Sequence, residues 1–205
     1  MRYRENSVLK RTPIRSRTGY CFECRCLVPD IYHGKIGVDK EEALHLMDTL
    51  DWPRAVEELS QAVQFLKEEG SEKVGAIGFC MGGALAVAAC QHCGIDCAAP
   101  FYGTPSKELS QPENIKVPVE FHSGELDDGK GFSDPATVGG WADEINKAGG
   151  SAASYLYENC GHAFINAGEH AVELRKMMDF PEPSTAVQDL AWSRVHAFFE
   201  KHLKS

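Results

Sequence analysis

The chain has no surplus of basic charge: 21 Lys and Arg stand against 30 Asp and Glu, for a net charge of -9. A nucleic-acid footprint needs a basic face, so that class of partner is excluded. It also lacks an apolar run long enough to span a bilayer, the apolar core of a secretory signal peptide, internal repeats, low-complexity tracts and long linkers. With 43% hydrophobic and 25% charged residues over 205 positions, the balance is that of an ordinary soluble domain that needs no staples to hold its core. Positive charge is concentrated at the front. Residues 1–20 hold Arg2, Arg4, Lys10, Arg11, Arg15 and Arg17 against one Glu, giving +5 and leaving -14 for the remainder. Without an amphipathic period, this stretch reads as a solvated, poorly ordered arm ahead of one domain at 21–205, with a transit-peptide remnant as the other reading.

Eight cysteines in a chain of this length without a signal peptide read as reduced thiols, which places the protein in the cytoplasm. Cys21/Cys24, with Cys26 following, and Cys90/Cys93, with Cys97 following, have C-x-x-C spacing and together could imitate a four-thiolate zinc site. Nothing local brings the two pairs together, so the expectation is unconnected thiols and no metal.

Strand and helix patterns alternate. A strand is expected at 24–29, a helix at 40–50 with Ala43, Met47 and Leu50 on one side, and a helix capped by Asp51 with Val56, Leu59, Val63 and Leu66 as its stripe. A strand at 74–79 leads into a buried helix, strands follow at 96–102 and 117–122, and Asp134-Pro135 opens a helix that presents Val138, Trp141 and Ile145 inward. A last strand at 152–157 precedes a helix at 185–203, where Thr185 and Gln188 have capping-box spacing. The fold class is therefore α/β, with a mainly parallel sheet flanked by helices, whose chemistry gathers in the loops after the strand ends.

One such loop holds Gly78-Phe79-Cys80-Met81-Gly82-Gly83. This is the G-x-S-x-G nucleophile elbow with Cys in place of Ser, and its glycines suit a sharp reversal from strand to helix. A free thiol titrates near about 8.5, and a helix N-terminus or a neighbouring imidazolium lowers that value and favours the thiolate. The plain alternative is a buried structural Cys. Two further loops carry Asp127 and His162, each following a separate strand, in the order nucleophile, acid, histidine of the α/β-hydrolase fold. The thiol needs a base, and the base needs an acid to fix its tautomer, so His162 is the candidate base and Asp127 its orienter. Asp128 competes for the acid role. His33, His45, His92, His122, His170, His196 and His202 are less well placed.

The elbow, Val-Pro-Asp-Ile-Tyr at 28–32, Ala-Pro-Phe-Tyr-Gly at 99–103, Gly-Glu-Leu-Asp at 124–127 and Gly-His-Ala-Phe at 161–164 together resemble the dienelactone hydrolase (carboxymethylenebutenolidase) family over residues 24–203. The resemblance implies an α/β-hydrolase with a Cys80, Asp127, His162 triad that cleaves a small ester or lactone through a thioester. It implies an oxyanion donor in the backbone N–H of Met81 and neither metal nor organic cofactor. The implied partner is a small-molecule substrate, with no nucleic acid and no membrane.

The resemblance also implies earlier strands and a loop supplying a second oxyanion donor and a glutamate near the nucleophile, and residues 1–20 offer no such strand or loop. One strand would then be absent between that at 24–29 and the elbow strand, leaving a gap in the sheet. The hypothesis that follows is a truncated or alternatively spliced form, or an incorrect gene model, with the triad retained and activity impaired; full-rate hydrolysis by this chain would contradict it. Two other readings stay open. One is a glutamine amidotransferase-like domain, disfavoured because Ala-Phe follows His162; the other is a non-catalytic or redox-sensing module with a reactive Cys80.

Overall fold

The computed structural model describes residues 8–15, 21–37 and 40–204. The side chains of residues 8–15, 21–23, 40, 41, 43 and 44 are not described, so the expectations for Cys21 and for Ala43 on the inner side of its helix lie outside the described set. Four strands, β3 (Gly75–Phe79), β4 (Cys97–Phe101), β5 (Val119–Gly124) and β6 (Ala152–Tyr157), form a parallel sheet in the order β3-β4-β5-β6. Every residue of β4 and β5 is buried. That is the state of central parallel strands covered on both faces, and it explains why these segments read as continuous apolar runs rather than alternating ones.

Alternate residues of β4 feed two cores. Ala98 joins Val119 and Phe121 of β5 beneath α2 (Trp52–Glu68), α3 (Met81–His92) and α4 (Pro135–Lys147). Cys97, Ala99 and Phe101 face α6 (Thr185–Leu203) with Ala191, Val195, Phe198 and Phe199. Cys90, Cys93 and Cys97 are buried in these cores, where loss of solvent pushes the Cys93 thiol up to about 11 and that of Cys97, next to Asp96, up to about 12. They are structural thiols.

The helix starts follow their caps. Asp51 accepts from Arg54 N at 3.1 Å to open α2, and Asp134 accepts from Thr137 N at 3.0 Å to open α4. For α6 the capping-box expectation is corrected: the cap is Ser184, which accepts from Val187 N, and Gln188 turns away to donate to Phe164 O at 2.8 Å. Residues 1–20, read from the sequence as a basic arm, hold one strand. Val8–Arg15 forms β1, which pairs antiparallel with β2 (Cys21–Val28) in a separate two-stranded sheet. The β-branched Val8, Thr12 and Ile14 fit that role, and Pro13 is tolerated because each strand of a two-stranded sheet is an edge. Residues 1–7 and 16–20, the rest of the expected arm, lie outside the described residues.

Two further helices complete the described chain, α1 (Lys40–Asp48) and α5 (Glu169–Met177). The second has only nine, mostly polar, residues and is not legible as an apolar stripe, although its Arg175 is buried. Among the described residues no helix is long and apolar enough to cross a membrane.

Candidate active site

The chain leaves β3 at Phe79, reverses at Cys80 and enters α3 at Met81. Cys80 sits at φ 54, ψ -122, a conformation that a side-chain-bearing residue rarely adopts and that surrounding contacts must impose. Those contacts are specific. Cys80 N donates to Phe101 O at 3.1 Å, and Cys80 O accepts from Gly83 N at 2.8 Å and Ala84 N at 3.2 Å. The turn is packed from both sides: a Cβ on Gly78 would lie 1.8 Å from Gly82 O, and one on Gly103 would lie 2.1 Å from Cys80 O. Gly82 itself has open space around its Cβ position, whereas a Cβ on Gly83 would lie 2.5 Å from Phe101 O, so the steric requirement rests on Gly78, Gly83 and Gly103 and not on Gly82. The sulfur-bearing residue is half-buried at the start of α3, where the first N–H groups have no intrahelical acceptor.

Beyond the end of β5, Asp127 is 4% exposed while Asp128 is exposed. Asp127 Oδ2 lies 2.7 Å from His162 Nδ1. Its Oδ1 accepts from Ser133 Oγ at 2.7 Å and from Gly129 N at 3.2 Å, so both oxygens are held. Nδ1 being taken, Nε2 of His162 is the ring nitrogen left free of Asp127, and Cys80 is close enough to act on the charge of the ring. The three candidate residues, 47 and 35 positions apart in sequence, are thus brought into one chain of contacts.

His162 lies in the loop after β6, and three separate elements grip that loop. Tyr102 OH donates to Asn166 Oδ1 at 3.0 Å, Gln188 donates to Phe164 O, and Arg175 donates to Ala163 O at 3.2 Å and Asn166 O at 2.8 Å. The Tyr102 ring also packs 4.9 Å, centre to centre, from the His162 ring. Next to Cys80, Tyr32 OH donates to Met81 Sδ at 3.0 Å. Burial, then the neighbouring Cys80, raises the pKa of both the Tyr32 and the Tyr102 phenol, so both remain neutral donors.

Electrostatics at His162 oppose one another. Burial disfavours the imidazolium, but the hydrogen bond to Asp127 and the contacts with Cys80 outweigh it and raise the pKa from 6.5 to about 9. At neutral pH the ring is therefore positioned to carry a proton next to the sulfur. Sequence reasoning singled out Cys80, Asp127 and His162. Ser133 and Arg175 carried no motif, and Tyr32 and Tyr102 stood within the quoted motifs without a role.

An elbow, an acid loop and a histidine loop at the carboxyl ends of a parallel sheet define the α/β-hydrolase class. The family model for the dienelactone hydrolase family matches residues 16–203. The chain is 34% identical over 186 residues to "Protein usf" of Aquifex pyrophilus, covering 85% of this chain and 74% of that protein. It is 28% identical over 154 residues to a carboxymethylenebutenolidase of Pseudomonas putida, covering 70% and 64%. A solved Klebsiella pneumoniae protein, described provisionally as a dienelactone hydrolase, superposes with a TM-score of 0.65 at 17% identity over 91% of this chain and 77% of that one, a likeness of fold. The chain belongs to the dienelactone hydrolase family, and is a hydrolase acting on ester or lactone bonds.

Proposed function

We infer that this chain is a cysteine hydrolase of small esters or lactones, working through a Cys80–His162–Asp127 triad and a thioester intermediate in the cytoplasm. The observation that carries this reading is the 2.7 Å contact between Asp127 Oδ2 and His162 Nδ1, which leaves Nε2 to face Cys80. In the proposed cycle His162 Nε2 already holds the proton given up by Cys80, in keeping with its raised pKa, and the sulfur, as thiolate, forms a bond to the substrate carbonyl carbon. The resulting oxyanion is held by the N–H of Met81 at the start of α3. The C–O bond then breaks, and the departing oxygen, as alcohol or as the enol of an opened ring, takes the proton from Nε2. Water next gives a proton to Nε2 as its oxygen attacks the thioester carbonyl. The C–S bond breaks, the acid leaves, and the thiolate is restored beside the imidazolium. Asp127 keeps the ring in one tautomer and offsets its positive charge.

Burial separates this thiol from Cys90, Cys93, Cys97 and Cys160, which are buried, and its place on the elbow separates it from Cys24 and Cys26, which are half-buried but lie on β2. The test is turnover of p-nitrophenyl acetate by the wild-type chain beside Cys80→Ala and His162→Ala. Turnover lost in both variants supports the triad. Turnover retained in Cys80→Ala rejects the thiol nucleophile. A folded wild-type chain with no turnover, whose Cys80 is alkylated equally well with and without His162, supports a redox-sensing or binding module instead.

A further inference from the structure

The residue that follows His162 is strained. Ala163 has φ 60, in the left-handed region that a side-chain-bearing residue adopts only where its surroundings impose it. Its carbonyl, turned by that conformation, accepts from Asn166 N at 3.0 Å and from Arg175 Nη1 at 3.2 Å. The same Nη1 donates to Asn166 O at 2.8 Å, so one guanidinium nitrogen closes the loop over residues 163–166. The rest of the group is occupied as well: Nε and Nη2 of Arg175 meet the two carboxylate oxygens of Glu182 at 3.0 and 2.6 Å.

Arg175 is 1% exposed, whereas Glu182 keeps half of its side chain in solvent. A fully buried cation that reaches no solvent and faces two backbone carbonyls is out of place in a nine-residue polar helix unless those carbonyls are what it is there to hold. The planar fork can address a carboxylate with one edge and carbonyls with the other, which a lysine ammonium cannot.

We propose that Arg175 is a positioning residue for the hydrolytic reaction: it clamps Ala163 O and Asn166 O against the Glu182 carboxylate and so fixes the His162 imidazole between Asp127 and Cys80. The proposal rests on the reading of His162 as the base. It differs from a purely structural role in what it controls. Loss of the clamp lets Ala163 relax out of its strained conformation, and the ring beside it drifts from both partners that hold its proton. A displacement of about 1 Å at a reacting group can cost roughly 100-fold in rate.

The test compares wild type, Arg175→Lys, Arg175→Ala, His162→Ala and the double substitution Arg175→Lys/Ala163→Gly, with p-nitrophenyl acetate as substrate. The second readout is the pH dependence of iodoacetamide alkylation at Cys80, mapped by peptide mass. Arg175→Lys keeps a buried charge and is the variant that folds if Arg175→Ala does not. The expected result is a kcat lower by roughly 10- to 100-fold with KM within about twofold. The His162 limb of the alkylation profile should move from near pH 9 toward 6.5, because the contacts that raise it have loosened. Glycine adopts φ 60 without strain, so Ala163→Gly should recover part of the rate lost in Arg175→Lys. Wild-type kcat and an unmoved limb in Arg175→Lys would overturn the proposal. A kcat loss that follows only the fraction of folded protein, with the limb still near pH 9, would overturn it equally. His162→Ala separates the two levels: if that variant turns over normally, the base assignment fails, and if it is inactive while Arg175→Lys behaves as wild type, only the clamp fails.

Discussion

His162 Nδ1 lies 2.7 Å from Asp127 Oδ2, and the other oxygen of that carboxylate is tied to Ser133 Oγ at 2.7 Å. The carboxylate is therefore fixed before it meets the imidazole, and one tautomer of His162 is imposed by the fold rather than selected by substrate. Asp127→Asn can present its amide N–H to Nδ1 and so favours the wrong tautomer. We expect kcat to fall by roughly 10³- to 10⁴-fold, the scale set by the equivalent change in a serine protease. Asp128→Asn, at the exposed neighbour, should stay within about twofold in p-nitrophenyl acetate turnover.

The pH profile has a definite sign. The folded pKa of His162 is raised from 6.5 to about 9, so the stabilisation it gives is fully present below pH 6.5 and is lost as pH rises through about 9. Turnover should fall over that same alkaline limb, because a neutral imidazole has no proton to give the departing oxygen. In Asp127→Asn the limb should move down toward 6.5. An alkaline limb that stays near 9 without Asp127 would show that the carboxylate does not set it. Burial of His122 has the opposite effect: its folded pKa is lowered, so stability drops as pH falls below 6.5. Thermal unfolding followed from pH 5 to 10 should show a loss at each end.

The elbow makes a steric prediction that separates its glycines. Gly78→Ala and Gly103→Ala place a Cβ 1.8 Å from Gly82 O and 2.1 Å from Cys80 O, both backbone atoms that cannot step aside. Each should lower the stability by at least about 2 kcal/mol and abolish turnover with it. Gly82→Ala meets nothing within 4 Å and replaces a poor helix former in the first turn of α3, so its Tm should be equal to or above that of wild type. Differential scanning calorimetry of the three variants checks this.

A fourth substitution, at the cap of α4, should leave chemistry alone. Asp134 accepts from Thr137 N at 3.0 Å, and its hydrogen bonds to Thr137, first the hydroxyl and then the backbone, hold its carboxyl below 3.8. Asp134→Ala should cost about 1 kcal/mol in urea unfolding and leave kcat unchanged. The stabilisation from this lowered pKa is present above pH 3.8 and fades as pH falls below it.

The parts of this molecule that sequence reasoning reached are those whose signal is local. The elbow is written in six consecutive residues around Cys80. The helix caps at Asp51 and Asp134 are read from a carboxylate just ahead of a Pro, and the central strands from uninterrupted apolar runs. What escaped it depends on contacts across the fold. Ser133 follows Asp127 by six residues without any motif, and Gln188 has capping spacing yet serves Phe164 instead. Tyr32 meets Met81 across 49 positions, which nothing in either segment announces. β1 was hidden for another reason. Its Lys and Arg residues read as a basic arm, and the antiparallel pairing with β2 that makes it a strand is a contact to a later segment.

The most direct measurement is acid-quenched mass spectrometry of the intact chain milliseconds after mixing with p-nitrophenyl acetate, with the adduct mapped to a peptide. A Cys80 nucleophile predicts one acetyl group on the Cys80 peptide, absent in Cys80→Ala and slow to appear in His162→Ala. Ester turnover with no adduct at Cys80, or an adduct that forms equally fast without His162, would contradict the triad mechanism.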